Sequence, residues 1–209
     1  MIIKQVPVTG VITTNAYFYI DETSRHGFLI DPGAEVDKLL QIIIDNKWTI
    51  EKILLTHGHF DHIGAVNKVQ NTLKIPCICH KNGSDYLTDP QYNLSAWFCP
   101  EITVTNFQTV DNDTEITLEA TPDIRLKMIA TAGHTQDSII YYDANNHLAF
   151  VGDTIFKGSC GRTDIPGGDE NELLYNIKHK ILTLPDNTTL YSGHTGPTTV
   201  KAEKPYYNL

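Results

Sequence analysis

The chain has 209 residues, of which 41% are hydrophobic and 20% charged, with a formal net charge of -9. That length suits one domain with a substantial core, and the balance is that of a soluble globular protein. The acidic charge excludes the basic field that nucleic acid or anionic lipid would require.

The N-terminal MIIKQVPVTGVITTNAYFYI is too polar and too alternating for a secretory signal. There is also no run of about 18 apolar residues that would span a bilayer. The expectation is a cytoplasmic protein forming one domain over residues 1–209, with neither nucleic acid nor membrane as a partner. Residues 2–8, 12–20 and 27–30 are rich in Ile, Val, Tyr and Phe and read as strands, the third stopping at the turn Asp31-Pro32-Gly33. Val36, Leu39, Leu40, Ile43 and Ile44 then recur at helical spacing, which predicts an amphipathic helix over 34–47. A strand at 52–55, a histidine-rich turn, a helix at 61–74 and a strand at 75–79 follow, an order that argues for an α/β layer.

Residues 81–105 have no clear period beyond a short helix near Asn82, and they read as a loop. A long irregular segment in a compact domain is commonly functional. Residues 90–100, with Trp97 and Phe98, are therefore expected to form a mobile wall of the substrate pocket, the alternative being that the two rings plug the core. From 106 to 152 the runs FQTV, EITL, IRLKMIATAG, SIIYYDA and HLAFVGD predict consecutive strands, with residues 143–146 as a hairpin turn. A last helix at 169–183 begins acidic and ends basic, as the helix dipole prefers, and a strand at 188–193 delivers His194. Cys77, Cys79, Cys99 and Cys160 contain no CxxC pair and read as free thiols, Cys77 and Cys79 as buried neighbours on one face of a strand.

The chemistry is concentrated in LTHGHFDHIG, residues 55–64, which places His57, His59, Asp61 and His62 directly after a buried strand. Neutral imidazole and carboxylate are good ligands for zinc and iron. His57 and His59 lie two apart in an irregular turn and can converge on one ion. Asp61 and His62 must diverge from them and can serve a second ion about 3.5–4 Å away. His134 in TAGHT, Asp153 in VGDT and His194 in YSGHT each follow a small residue at the end of an apolar run, and α/β folds gather site residues at strand ends of this kind. His26, His80, His147 and His179 lack that context and read as surface or structural residues.

THGHFDH, with the later GH, GDT and GHTGPTT, resembles the metallo-β-lactamase fold superfamily and, within it, the short bacterial members of the glyoxalase II-like group, the hydroxyacylglutathione hydrolases. The likeness extends from TNAYFYI and LIDPG through GDTIFKGSCGRTDIPGGDENELL to GHTGPTTVKAEKPYYN. It implies a four-layer αββα sandwich of two mixed sheets with helices outside. His57, His59 and His134 would hold one divalent ion, Asp61, His62 and His194 a second, and Asp153 would bridge them. Zn2+ is the expected metal, with Fe or Mn as alternatives. The implied reaction is hydrolysis of a thioester such as S-lactoylglutathione by metal-activated water, which Asp61 would orient. The expected partner is a small molecule, a glutathione conjugate among the candidates, and the oligomeric state is open. Arg162 in CGRTD is read as a contact for an anionic substrate group, or as a salt bridge that fixes the 157–168 loop.

The chain departs from the group at TAGHTQDS, where Ala132 and Gln136-Asp137 stand in place of Pro and Pro-Gly. The sequence ends at Leu209, without the C-terminal helical region that clamps glutathione in full-length glyoxalase II, so the resemblance does not carry glutathione specificity. Two other activities fit the same residues: a mononuclear-iron glutathione-persulfide dioxygenase using His57, His134 and Asp153, and a lactonase. The terminal GHTGPTT looks more like the hydrolase group than the dioxygenases. A β-lactamase is disfavoured because the main zinc β-lactamases place Cys where this chain has Asp153.

Overall fold

The structure, a computed structural model describing residues 1–208, is two six-stranded mixed sheets stacked face to face. The first contains β1 (Ile2–Thr9), β2 (Thr13–Ile20), β3 (His26–Ile30), β4 (Thr49–Leu54), β5 (Cys77–His80) and β6 (Gln108–Val110), adjacent in chain order. The first two pairings are antiparallel and the last three parallel. Parallel neighbours need crossovers. These are α1 (Val36–Asn46), then α2 (Phe60–Ile63) with α3 (Val66–Leu73), then α4 (Ser84–Thr88) with α5 (Ser95–Phe98). The second sheet contains β7 (Glu115–Thr117), β8 (Arg125–Ala130), β9 (Ile139–Asp143), β10 (Leu148–Gly152), β11 (Thr189–Ser192) and β12 (Thr198–Thr199). Only β10 and β11 pair in parallel there, and α6 (Glu170–Asn176) with a π turn at Ile177–Ile181 crosses between them.

The layering follows from the period-2 pattern of the strands. In β2, Ala16, Phe18 and Ile20 face α1 and α3, while Tyr17 and Tyr19 face the other sheet. In β9 and β10, Ile139, Tyr141, Leu148 and Phe150 point into the inter-sheet layer, and Ile140, Ala149 and Val151 point out to Leu173 of α6 and Ile177 of the π turn that follows it. Three apolar layers between four layers of secondary structure give the expected αββα sandwich. Burying each of these large side chains stabilises the fold by about 1.5–3 kcal/mol. No helix among the described residues is long and apolar enough to cross a membrane.

Most predicted elements are present within one to three residues of their expected ends. The helix expected at 61–74 is two pieces, broken around Gly64 and Ala65. The segment 81–105 is more ordered than a loop. Beyond a 3-10 turn at Lys81–Gly83 it has α4 and α5, and the fully buried Asn93 anchors it. The Asn93 Nδ2 donates to the carbonyls of Tyr86 and Ile102 at 3.0 and 2.9 Å, its Oδ1 accepts the Ser95 N–H, and its carbonyl accepts the N–H of Phe60. A single polar residue inside an aperiodic stretch gives no hydrophobic-pattern signal, which is why this order was not expected.

Candidate metal centre

All seven candidate ligands converge at one rim of the sandwich, between the two sheets. The turn after β4 carries His57 and His59, α2 carries Asp61 and His62, and His134, Asp153 and His194 follow β8, β10 and β11. His57 Nε2 lies 3.1 Å from His59 Nδ1, which lies 3.0 Å from His134 Nε2. Asp61 Oδ2 lies 3.6 Å from His62 Nε2 and 3.4 Å from His194 Nε2. Asp153 lies between these groups, 3.3 Å from His62, 3.0 Å from His194 and 3.7 Å from His134. With zinc–nitrogen bonds of about 2.0–2.1 Å, tetrahedral ligands sit about 3.3 Å from one another, so both triads have the spacing of shared ligation.

Two further observations fit a cation. His62 Nε2 and Asp153 Oδ1 are buried and face each other without a hydrogen bond. Buried polar atoms are ordinarily paired or bound to metal. In addition, Asp31, Asp61 and Asp153 bring three carboxylates into one buried cluster, which calls for compensating positive charge. Burial pushes the His57, His59 and His134 pKa values down, leaving neutral imidazoles with a free lone pair. At His62 burial acts in the same direction, but Asp61, Asp153 and Asp31 outweigh it and hold the pKa well above 6.5. Burial would raise the Asp153 pKa, yet His62 and His194 hold it well below the usual carboxylate range.

A second set of residues aims these rings. His62 Nδ1 is 3.0 Å from Asp31 Oδ2, which also accepts the Thr56 hydroxyl at 2.6 Å, while Asp31 Oδ1 accepts the Thr56 N–H at 2.8 Å. Thr56 Oγ1 in turn lies 3.2 Å from His57 Nδ1. His134 Nδ1 pairs with the Arg162 carbonyl at 2.7 Å and His194 Nδ1 with the Thr13 carbonyl at 3.0 Å. Thr14 donates to Asp61 Oδ2 at 2.6 Å. The partners of His57, His62, His134 and His194 fix their tautomers, so that each Nε2 faces the centre. Asn15 binds the other sheet through Nδ2 to the Ser192 and Thr195 carbonyls, and through its N–H to the Gly193 carbonyl. Gly193 itself leaves no room for a Cβ, which would overlap Asp153 Oδ1 and lie 2.7 Å from His62 Cε1.

Thr13, Thr14 and Thr56 carry no sequence signal for this role. Asp31 had one available signal, its place in the turn that ends a buried strand, and it adopts a left-handed φ of 48°.

The remaining expectations divide. A cavity of about 350 Å3 opens on the cluster and includes Phe98, Arg162, Asp61 and His194 in its lining. Trp97 is not among the lining residues and stands 55% exposed. It neither plugs the core nor faces the site. The Arg162 guanidinium is forked onto Asp164 at 2.7 Å for both contacts, leaving its carbonyl as its link to the site. His80 is buried, with Nδ1 accepting the Asn82 N–H, and His26 pairs with Glu51, both structural roles. Cys77 and Cys79 are buried free thiols in one apolar layer, as expected.

Asp137, one of the departures in TAGHTQDS, is buried beside Gly58 and Gly83 with Oδ1 unpartnered. Burial raises its pKa to about 7, against hydrogen bonds from Thr135 and the Gly58 N–H. In the unfolded chain it ionises near 3.8. Its contribution to stability is therefore full below about pH 4, falls as pH rises, and levels off above about pH 7. The three-unit gap corresponds to about 2–4 kcal/mol. Asp137→Asn should flatten this slope and raise Tm at pH 8 by about 4–10 °C, read by thermal melts across pH. An unchanged slope would contradict the assignment.

The model of the metallo-β-lactamase superfamily matches residues 9–198. The probable metallo-hydrolase YqgX of Bacillus subtilis (strain 168) is 37% identical over 96% of this chain and 93% of its own. The hydroxyacylglutathione hydrolase GloC of Haemophilus influenzae is 29% identical over 98% of this chain and 95% of its own. The crystal structure of BLEG-1, a B3 metallo-β-lactamase, superposes with a TM-score of 0.91 at 35% identity, covering 98% of this chain and 97% of that one. With its two stacked sheets, its histidine and aspartate cluster and this match over nearly its whole length, the chain belongs to the metallo-β-lactamase superfamily.

Proposed function

We propose that the protein is a metal-dependent hydrolase that cleaves a thioester, S-lactoylglutathione or a related acyl-thiol. The observation carrying this reading is the pair of donor triads with Asp153 between them. In this reading His57, His59 and His134 would hold one divalent ion and Asp61, His62 and His194 the other, with Asp153 available to both and zinc as the first candidate metal. Such ions, when bound, polarise a carbonyl and lower the pKa of water toward neutrality. The chain's own residues do the rest. Asp61, held by Thr14 and lining the cavity, would accept a hydrogen bond from the attacking water and orient it. The apolar side chains around the cavity limit bulk water and strengthen the electrostatics inside. The likeness to GloC supports a thioester as the substrate.

The likeness to BLEG-1 favours a second reading, opening of a β-lactam ring, and weighs against the sequence argument from Asp153. A mononuclear dioxygenase is less well supported, because it would leave Asp61, His62 and His194 without a task. The test is to assay metal-loaded protein on S-lactoylglutathione, a short acyl thioester of N-acetylcysteamine, a cephalosporin and a lactone, and to follow oxygen uptake with glutathione persulfide. The expected result is thioester hydrolysis with kcat/KM of about 10⁴ M⁻¹s⁻¹ or more. Turnover of the cephalosporin or the lactone alone, or of the persulfide with one ion per chain, would overturn the thioester reading.

A further inference from the structure

The cavity facing the metal cluster has a second character that the metal ligands do not explain. Beside the donors its lining includes Ile12, Phe60, Leu94, Phe98, Phe156 and Ile165. The Phe60 and Phe98 rings stack at 5.8 Å with 21° between their planes. A second cavity of about 330 Å3 shares Ile12, Phe60 and Asp61 with the first and runs on past Val11 and Ile102. The two therefore adjoin across Ile12, Phe60 and Asp61, and together they form an apolar trough beside the donors. At its rim Val11, Ile12 and Phe98 remain 59%, 42% and 50% exposed, large apolar side chains gathered beside a reaction centre. Clustered exposure of this kind marks a binding surface.

The charges lining the trough point the same way. Among its described lining residues Arg162 is the one Lys or Arg, and its guanidinium is already paired with Asp164. A glutathione moiety brings two carboxylates and an ammonium group, and this wall offers them no free cation. Biological thiol carriers are amide-rich and charged, so the half of a thioester that can be apolar is the acyl group. We infer that the trough is an acyl subsite, and that the preferred substrates carry a linear apolar chain, hexanoyl rather than acetyl or lactoyl, on the scissile carbonyl. This rests on the thioester reading proposed above and narrows its substrate class.

The test pairs two measurements on metal-loaded protein: kcat/KM for acetyl and hexanoyl thioesters of N-acetylcysteamine, and calorimetric binding of acetate and hexanoate, the corresponding acid products. A methylene moved from water into apolar surroundings is worth about fourfold in an equilibrium constant. Even with partial burial in an open trough, hexanoyl should exceed acetyl by at least about tenfold in both measurements. Ile12→Asp, at a half-exposed turn position that tolerates a charge, should reduce both ratios to about threefold or less, and Phe98→Ala should lower them in the same direction.

Hydrolysis of both thioesters at equal rates, or equal binding of the two acids, would overturn the acyl subsite while leaving thioester hydrolysis standing. No hydrolysis of any thioester, with hexanoate still bound at least tenfold more tightly than acetate and the preference lost in Ile12→Asp, would sink the thioester reading and retain the trough as the subsite for an apolar carbonyl substituent.

Discussion

Replacing Asp153 with alanine is expected to lower turnover by about a hundredfold to a thousandfold or more, the range seen when one preorganised electrostatic group is removed from an active site. The same change should release at least one metal ion per chain. The reason lies in its position, since its two oxygens reach His62 at 3.3 Å on one side and His194 and His134 at 3.0 and 3.7 Å on the other. Among the described residues no other carboxylate contacts ligands of both triads. It is also the anion that, with Asp61 and Asp31, holds the His62 pKa up, so its loss leaves buried imidazoles facing one another with less compensation. Turnover and elemental analysis on the same preparation check the prediction. Full activity with two ions retained would contradict it.

The second large effect is expected one layer further out. Asp31 does not line the cavity facing the cluster, yet its two oxygens accept from His62, the Thr56 hydroxyl and the Thr56 N–H, and Thr56 positions His57. One residue therefore aims a ligand of each triad. Asp31→Ala should weaken metal affinity by about 10- to 100-fold, measured by competition with a chelator, because outer-sphere partners of ligating histidines typically carry that much. It should also cost about 2–4 kcal/mol in denaturant unfolding, since three buried donors lose their acceptor. Asp31→Asn keeps one accepting oxygen and should lose less in both measurements. Unchanged affinity in Asp31→Ala would remove Asp31 from the account.

The contrast between these two residues shows what could be read from the sequence and what could not. Asp153, His134 and His194 announce themselves, because each ends an apolar strand after a small residue, and the backbone reason is visible at Gly152, which has φ of +50°, and at Gly193, which has no space for a side chain. The strands were legible for the same reason. In β2, β9 and β10 alternate residues serve different apolar layers, and that alternation is a period-2 signal. Asp31, Thr56 and Thr14 lie far from their partners along the chain and belong to residue types common in turns, so only the folded arrangement reveals what they hold. Asn93 is the same case for the segment 81–105, a buried amide with no periodic context. The charge of Arg162 makes a salt bridge inside the 157–168 loop, one of its two expected roles, but its carbonyl is what meets His134, and a backbone contact has no residue-type signature. Trp97 and Phe98 are adjacent in sequence, yet their directions in a short helical turn differ, and of the two Phe98 lines the cavity.

The most direct test of a two-ion centre is the metal content of the chain at saturation, by elemental analysis after loading with zinc or iron and removal of free metal. Two ions per chain in the wild-type protein, falling to one or none in Asp153→Ala, is the predicted result. At most one ion per chain in the fully loaded wild-type protein would contradict the pairing of the two triads, and with it the proposed hydrolytic mechanism.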